Sequence, residues 1–304
     1  MKCRICGNDK DNPEYEVKEL QLGLGDDFTY FRCSHCGCLQ ISEIPEDMNR
    51  YYSGDYYSYN IKDIYEKNII KRWLRSKRDR YAFFKQGWLG KFLAKKTFIF
   101  PWIQYLDWQP DFRILDIGCG NGIMLNKMRM CGFESLTGID PFIQADIHYS
   151  KGCNIYKQTI EQVQGVFEII MMHHSLEHMS DHHMVFQNLG RLIAPGGHIL
   201  IRIPVFCQYF FEQFGKYWLQ WDPPRHYYLH SLESFELMCR QYGFCIKKRF
   251  WEDTQWTFKA SEQYRFKDLG IPPTMTEQEI FEIDLKLRNE QRSDSCGFIL
   301  EKVL

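Results

Sequence analysis

The stretch FRILDIGCGNG (residues 112–122) decides the fold of this chain. Residues 112–117 form a short apolar run, and three glycines follow it at alternate positions. An apolar run that ends in a glycine-rich turn, with an amphipathic segment behind it, is typical of a buried strand that leads into a helix. Glycines let the backbone turn sharply and approach a ligand, and the following helix start offers free N–H groups.

Further apolar runs predict more strands, and helical patterns separate them. Such alternation predicts an α/β protein with a mostly parallel sheet that is covered by helices. A long segment near the C-terminus, residues 276–289, is also predicted to be helical. The other predicted strands are SLTGID (135–140), FEIIMM (167–172), GGHILIRI (196–203), FCIKKRFWED (244–253) and SCGFILEKV (295–303).

Two acidic residues sharpen the reading of the glycine loop. Asp116 lies at the end of the first strand, and Asp140 lies at the tip of the second, eighteen residues after Gly122. A carboxylate at the second position can hold both hydroxyls of a ribose. The dinucleotide fingerprint Gly-x-Gly-x-x-Gly is absent, because the spacing here is Gly-x-Gly-x-Gly, which disfavours NAD.

Over residues 111–250 the chain resembles class I methyltransferases that depend on S-adenosylmethionine (SAM). Three motifs in order carry the resemblance: Asp-Ile-Gly-Cys-Gly-Asn-Gly, Gly-Ile-Asp and Leu-Ile-Ala-Pro-Gly-Gly. The resemblance implies a Rossmann-like sheet of seven strands with an antiparallel last strand. It also implies that the glycine loop follows the methionine part of SAM, that Asp140 binds the ribose and that Phe142 packs on adenine. The implied cofactor residues are Asp116, Gly118, Cys119, Gly120, Asp140, Phe142, Thr159 and Ile160.

A histidine-rich segment, residues 171–183, follows the strand 167–172. The string His174-Ser-Leu-Glu-His178 in this position resembles small-molecule O-methyltransferases of the ubiquinone-biosynthesis type, and His178 is then a candidate general base. Alternatively, His178 and Glu177 cap and brace the helix that follows. The zinc-protease pattern H-x-x-E-H requires a long helix, which a directly preceding strand disfavours. His182 and His183 are expected at the surface.

An aromatic connection, residues 204–230, follows the predicted fifth strand and is well placed as a substrate lid. Its Trp-x-x-x-Asp-Pro-Pro-Arg-His pattern resembles methyltransferases found with bacterial surface-polysaccharide genes. Trp218 and Tyr227 are candidates for a substrate wall, Arg225 for holding a phosphate or carboxylate, and His226 for a second base. The alternative is a packed helix pair in which Arg225 is paired with an acid.

Two C-x-x-C pairs, Cys3/Cys6 and Cys33/Cys36, predict a structural zinc ribbon over residues 1–45. Four thiolates leave no open position on the metal, so catalysis by it is not expected. A ribbon ahead of such a core resembles both sugar C-methyltransferases and ribosomal RNA guanine methyltransferases.

Residues 46–110 are predicted to be a linker with helices, ahead of a catalytic domain at 111–304. The tyrosine run 51–57 resembles the linker of the zinc-ribbon enzymes and can pack or donate hydroxyls to substrate. Residues 62–96 carry twelve Lys and Arg against three Asp and Glu, interleaved with aromatic residues. A basic aromatic helix of this kind can lie on anionic lipid, or it can simply be solvated.

The sequence therefore predicts a SAM-dependent methyltransferase that acts on a hydroxyl of a small molecule such as a sugar or glycan precursor. C-methylation of a nucleotide-linked keto-sugar, RNA methylation and a SAM-binding adaptor without catalysis are the alternatives. The formal net charge of −1 gives no support for nucleic-acid binding. With no signal peptide and no apolar run of about 20 residues, a soluble cytoplasmic protein is expected.

Overall fold

The computed structural model describes residues 1–52, 69–94, 100–150 and 152–303. Strands and helices alternate through most of this length. In chain order the strands and helices are β1 (Glu14–Lys18), β2 (Asp27–Arg32), β3 (Leu39–Ile41), α1 (Asn49–Tyr52), α2 (Ile69–Phe84), α3 (Trp88–Leu93), β4 (Arg113–Ile117), α4 (Ile123–Cys131), β5 (Ser135–Ile139), β6 (Ile147–Ser150), β7 (Cys153–Tyr156), β8 (Phe167–His173), α5 (His182–Leu192), β9 (Ile193–Pro204), α6 (Gln208–Phe214), β10 (Tyr228–Leu229), α7 (Leu232–Gln241), β11 (Phe244–Trp251), α8 (Gln255–Leu269), α9 (Glu277–Asn289) and β12 (Ser295–Lys302).

The larger sheet has eight strands among the described residues, in the order β11-β12-β9-β8-β4-β5-β7-β6. Strand β4 pairs in parallel with both β5 and β8, and β5 pairs in parallel with β7. The sheet is mostly parallel and its last strand is antiparallel, as the resemblance implied. The resemblance implied seven strands, and the described residues form eight. The additional edge strand is β6, which runs antiparallel to β7.

The smaller sheet has the order β1-β2-β3-β10. Its fourth strand comes from the connection 204–230, because Tyr228 and Leu229 pair with Gln40 and Leu39 of β3. The cysteine-bearing N-terminal segment and part of the predicted lid therefore share one sheet.

The chain divides into two compact units, and the division differs from the expected consecutive domains 1–45, 46–110 and 111–304. The first unit comprises the described parts of Met1–Ser53, His174–Phe186 and Arg202–Phe298. The second comprises those of Gly54–His173, Gln187–Ile201 and Ile299–Leu304. The pairing of β3 with β10 explains why the N-terminal segment belongs with the lid.

Local signals account for several element ends. Helix α4 is capped by a glycine at each end, Gly122 before it and Gly132 after it. Both glycines are in the left-handed region, with φ of 72° and 110°. A capping box between Thr276 and Glu279 begins α9, the predicted late helix. Within the described part of the chain, no helix has the length and apolar character needed to cross a bilayer.

Candidate functional site

The glycine loop after β4 belongs to the second unit and is folded onto the end of β5. The backbone N–H groups of Gly118 and Cys119 donate to the carbonyl oxygen of Ile139, over 2.8 and 3.2 Å. Gly118 and Gly120 have φ values of 74° and 55°, which favour glycine. The turn predicted from the glycine spacing is present, and its backbone depends on glycine at both positions.

Asp140 ties this loop to the tip of β5. Its carboxylate accepts the N–H of Gly120 through Oδ2 and that of Phe142 through Oδ1, each over 2.9 Å. Burial raises the pKa of Asp140, and the two N–H donors oppose that rise. A carboxylate has about four acceptor positions, so two backbone donors leave capacity for the hydroxyls of a ribose.

Asp116 lies beside this loop in the same unit. It is buried and stands opposite Gly138 in the register of β4 and β5, two residues before Asp140. Asp116 thus lies on β4 and Asp140 directly follows the adjacent parallel strand β5, at the edge where ligands bind in open α/β sheets. This donor and acceptor set fits the adenosyl part of SAM, with Phe142 beside it and 61% exposed.

Gly138 of β5 lies against the glycine loop and is not among the residues predicted from the sequence. A Cβ at Gly138 would lie 2.5 Å from the Sγ of Cys119, so a larger residue there would require the Cys119 side chain to shift. Burial also raises the pKa of the Cys119 thiol well above its usual range, which makes it a neutral packing group. The signal that could have revealed Gly138 is its place in Gly-Ile-Asp.

Thr159 and Ile160, the weaker cofactor candidates, begin a 3₁₀ turn after β7. Thr159 is exposed and forms a capping box with Gln162, whereas Ile160 is buried. The carbonyl oxygen of Ile160 accepts from Arg191. Their assignment to the adenine edge stays a prediction.

His178 lies in the first unit, in a short 3₁₀ turn of residues Leu176–His178. Its Nδ1 lies 2.8 Å from the carbonyl oxygen of Arg225, which can only accept, so Nδ1 carries the proton in the neutral ring. The Nε2 atom is then left as an acceptor. Burial lowers the pKa of His178, and the nearby His226 lowers it further, so the ring is neutral at pH 7.

His226 has a matching arrangement 4.9 Å from His178 between ring centroids. Its Nδ1 donates to the carbonyl oxygen of Gln220 over 2.8 Å, and its Nε2 lies 3.8 Å from Oδ2 of Asp222. One ligand atom each from Glu177, His178 and His226 lie within 4.8 Å of one another. Two imidazoles and a carboxylate can act in proton transfer, and the same set can hold a divalent cation.

The segment before His178 is not helical. His174 adopts a positive φ of 50°, and its ring lies 3.6 Å from both Glu177 and Glu252. The carboxylates outweigh burial and raise the pKa of His174 to about 9. Since the zinc-protease pattern needs a continuous helix, this geometry removes that alternative.

The lid residues proposed to contact substrate are inside the protein, which corrects those assignments. Trp218 is 1% exposed and donates from Nε1 to Oδ2 of Asp294 over 2.9 Å. Tyr227 is 7% exposed. Arg225 has no exposed surface and is paired with both Asp222 and Glu19. A guanidinium held by two buried carboxylates is not available to a substrate phosphate. The pairing of Arg225 with acids agrees with the alternative, but the connection forms one helix, α6, and two short 3₁₀ turns where a helix pair was expected.

The expectation that His182 and His183 lie at the surface is also wrong. His182 is 1% exposed, and its Nε2 donates to the carbonyl oxygen of Leu176 over 2.7 Å. Its Nδ1 lies 2.9 Å from Nε2 of His230. His183 is half-buried and bonded to Tyr242 and Arg4. Nothing in the local sequence separates these histidines from surface ones, because their partners come from distant parts of the chain.

The four predicted metal ligands are brought together in the first unit. The Sγ atoms of Cys3, Cys6, Cys33 and Cys36 all lie within 4.8 Å of one another. Two of the separations are 3.7 Å, between Cys3 and Cys36, and 3.4 Å, between Cys6 and Cys33. Tetrahedral zinc with Zn–S bonds of about 2.3 Å would place thiolates about 3.8 Å apart. The cluster fits such an ion.

The tyrosine run and the basic stretch are described only in part. Tyr52 places its hydroxyl 3.4 Å from Nδ1 of His178, while Tyr51 is buried. Tyr56 and Tyr57 lie outside the described residues, as do 62–68 and 95–96 of the basic stretch.

Two kinds of relative share sequence or shape with this chain. Ubiquinone biosynthesis O-methyltransferase from Cronobacter sakazakii is 33% identical over 98 residues, which is 29% of this chain and 40% of that protein. The protein of the same name from Pseudomonas aeruginosa is 33% identical over 100 residues, 29% of this chain and 43% of that protein. The chain thus matches about two fifths of the length of these curated relatives.

Among solved structures, the cyclopropane synthase MmaA2 from Mycobacterium tuberculosis has a TM-score of 0.45 at 16% identity, covering 66% of this chain and 81% of the other. Likeness at this level says nothing about an acceptor. The family described as "Methyltransferase domain" matches residues 68–248, which is more than half of the chain and includes the glycine loop. The chain therefore belongs to the methyltransferase domain family.

Proposed function

We propose that this methyltransferase transfers the methyl group of SAM to a hydroxyl of a small molecule, and that the acceptor is a sugar or glycan precursor. The observation that carries the proposal is the state of His178. Its Nδ1 proton is held by the carbonyl oxygen of Arg225 at 2.8 Å, so the lone pair of Nε2 is left to accept a hydroxyl proton. The local similarity to ubiquinone biosynthesis O-methyltransferases supports the same chemistry.

SAM supplies a methyl group already activated by the positive charge on its sulfur. The hydroxyl oxygen forms the new bond to the methyl carbon, the carbon–sulfur bond breaks, and its electron pair stays on sulfur. We assign the removal of the hydroxyl proton to Nε2 of His178, with His226 as the second candidate. Because the ring of His178 is neutral at pH 7, it can accept that proton without losing one first.

The test is a screen of nucleotide sugars and phenols with methyl-labelled SAM, in which products are identified by NMR. We expect an O–CH₃ product that His178→Gln reduces by about 10²-fold or more, the range for a general base. A product with a new C–CH₃ bond that forms only from keto-sugars would contradict the proposal. Label that appears only in added RNA would contradict it as well. Repeating the assay with a chelator would show whether the cluster of Glu177, His178 and His226 acts through a cation.

We also propose that Cys3, Cys6, Cys33 and Cys36 hold one structural zinc ion. The Sγ separations and the closed four-thiolate set support this. All twelve cysteines of the chain are unpaired thiols, which agrees with a reducing compartment such as the cytoplasm. Zinc per chain, measured on purified protein, should be close to one, and the four single Cys→Ser variants should lose it.

A third proposal concerns the described part of the basic stretch 62–96. Trp73, Trp88 and Phe92 are exposed by 50, 83 and 69%, beside the exposed cations Lys77 and Lys91. Exposed aromatics among cations match the chemistry of an anionic membrane surface. Vesicles with phosphatidylserine should retain the protein at low salt, and Trp88→Ala should weaken retention. Equal retention on phosphatidylcholine alone, or none on either, would exclude this role.

A further inference from the structure

Arg4 lies between the first two cysteines, and each of the three nitrogens of its side chain donates a hydrogen bond. Its Nε donates to the hydroxyl of Tyr228 over 3.0 Å. The two terminal nitrogens donate to the main-chain carbonyls of Ser42, over 3.3 Å, and of Ile41. A guanidinium fork used in this way fixes direction as well as distance, which a lysine could not reproduce.

The backbone of the same residue is anchored to the cysteine cluster. The N–H of Arg4 donates to Oε1 of Gln40 over 2.9 Å, and Nε2 of Gln40 in turn lies 3.0 Å from the Sγ of Cys3. The carbonyl oxygen of Arg4 accepts from Nε2 of His183 over 2.9 Å. The position of Arg4 therefore follows that of the Cys3–Cys6 knuckle.

Tyr228 passes this position on to the segment that leads away from His178. Its hydroxyl donates to the carbonyl oxygen of Ser180 over 2.6 Å while it accepts from Arg4. Its ring also lies 4.1 Å from that of His182 between centroids. Since His183 is bonded to Arg4 directly, the knuckle holds residues 180–183 at two points.

His182 completes the path to the turn of Leu176–His178. Its Nε2 donates to the carbonyl oxygen of Leu176, and its Nδ1 accepts from Nε2 of His230 over 2.9 Å. The Nδ1 of His230 then accepts from the hydroxyl of Ser234 over 2.8 Å. Burial lowers the pKa of His182 to about 4, so the ring stays neutral and its donor and acceptor atoms are fixed.

We propose that Arg4 is a positioning residue for His178: the Cys3–Cys6 knuckle acts through Arg4 and Tyr228 to fix the turn that carries the imidazole. This rests on the role of His178 proposed above. Burial lowers the pKa of that imidazole. If the turn loosens, the half-buried ring becomes more exposed to water, and its pKa rises toward the ordinary histidine value of about 6.5.

The test measures the pKa of His178 directly and needs no acceptor. NMR titration of the imidazole C–H signals, with His178 assigned by comparison with His178→Gln, compares wild type with Arg4→Ala. We expect the pKa in Arg4→Ala to rise by at least about half a unit. Lys2→Ala removes a neighbouring exposed cation and should leave it unchanged. Zinc per chain, measured on each sample, reports whether the cysteine site is intact.

Two milder variants keep the inference testable if Arg4→Ala does not fold. Tyr228→Phe removes only the hydroxyl that joins Arg4 to Ser180, and Arg4→Lys keeps the charge but not the fork. Both should shift the pKa of His178 in the same direction by a smaller amount. An unshifted pKa in Arg4→Ala, or in both mild variants, would overturn the inference whether or not zinc is retained. A shifted pKa with no methylation of any hydroxyl would contradict only the proposed function.

Discussion

Replacing Asp140 should weaken SAM binding strongly. Its carboxylate holds the N–H groups of Gly120 and Phe142 at 2.9 Å each, so it shapes the loop before any ligand arrives. Hydrogen bonds to a charged group are worth about 1.5–3 kcal/mol each. Taking the low end for two ribose hydroxyls gives about 3 kcal/mol, or roughly 150-fold in Kd.

Calorimetric titration of SAM into Asp140→Ala and Asp140→Asn measures this loss. The asparagine variant keeps one oxygen acceptor and should lose less affinity than alanine. Asp111→Ala, an exposed aspartate just before β4, serves as the matched control and should bind SAM normally. A Kd within about threefold of wild type for Asp140→Ala would refute the cofactor site, since a tenfold change already corresponds to about 1.4 kcal/mol.

The same carboxylate predicts a pH effect on SAM binding. Burial raises the pKa of Asp140, so it takes up a proton at a higher pH than an ordinary aspartate. The protonated form accepts hydrogen bonds less well, and SAM affinity should fall as the pH is lowered through that raised pKa. Asp140→Asn cannot titrate at this position and should show a flatter profile. An equal fall in both proteins would assign the effect to another group.

Three further predictions concern the first unit. His178→Gln should lower methyl transfer about 10²-fold or more while leaving the calorimetric affinity for SAM unchanged, and a parallel loss of both would argue against a base. Cys33→Ser should lose the zinc ion and lower the Tm, measured by metal analysis and calorimetry; full zinc occupancy would contradict the ligand set. Arg225→Met should lower the free energy of unfolding, measured in urea, by about 3–5 kcal/mol, because Asp222 and Glu19 would be left as buried unpaired charges. A change below about 1 kcal/mol would show that the two carboxylates are not buried charges that depend on Arg225.

The sequence could predict those features whose cause is local. Apolar runs and glycine spacing predicted β4, its turn and the positions of Asp116 and Asp140 at the ends of two strands, since a strand and its turn depend on neighbouring residues. The two C-x-x-C pairs likewise predicted which four thiols the fold brings together. The strands β6 and β7 were not predicted, because each has only four residues, too few to show an alternation of apolar and polar side chains.

Tertiary structure alone decided which polar side chains are buried and what they contact. Arg225 is hydrogen-bonded to Glu19, which is 206 positions away in the sequence. Arg4 and Tyr228 are 224 positions apart, and His182 and His230 are 48 apart. No window of sequence contains both members of such a pair. Burial makes an unpaired charge or donor costly, so the pairing fixes each role, and the pairing exists only once distant strands and turns have packed.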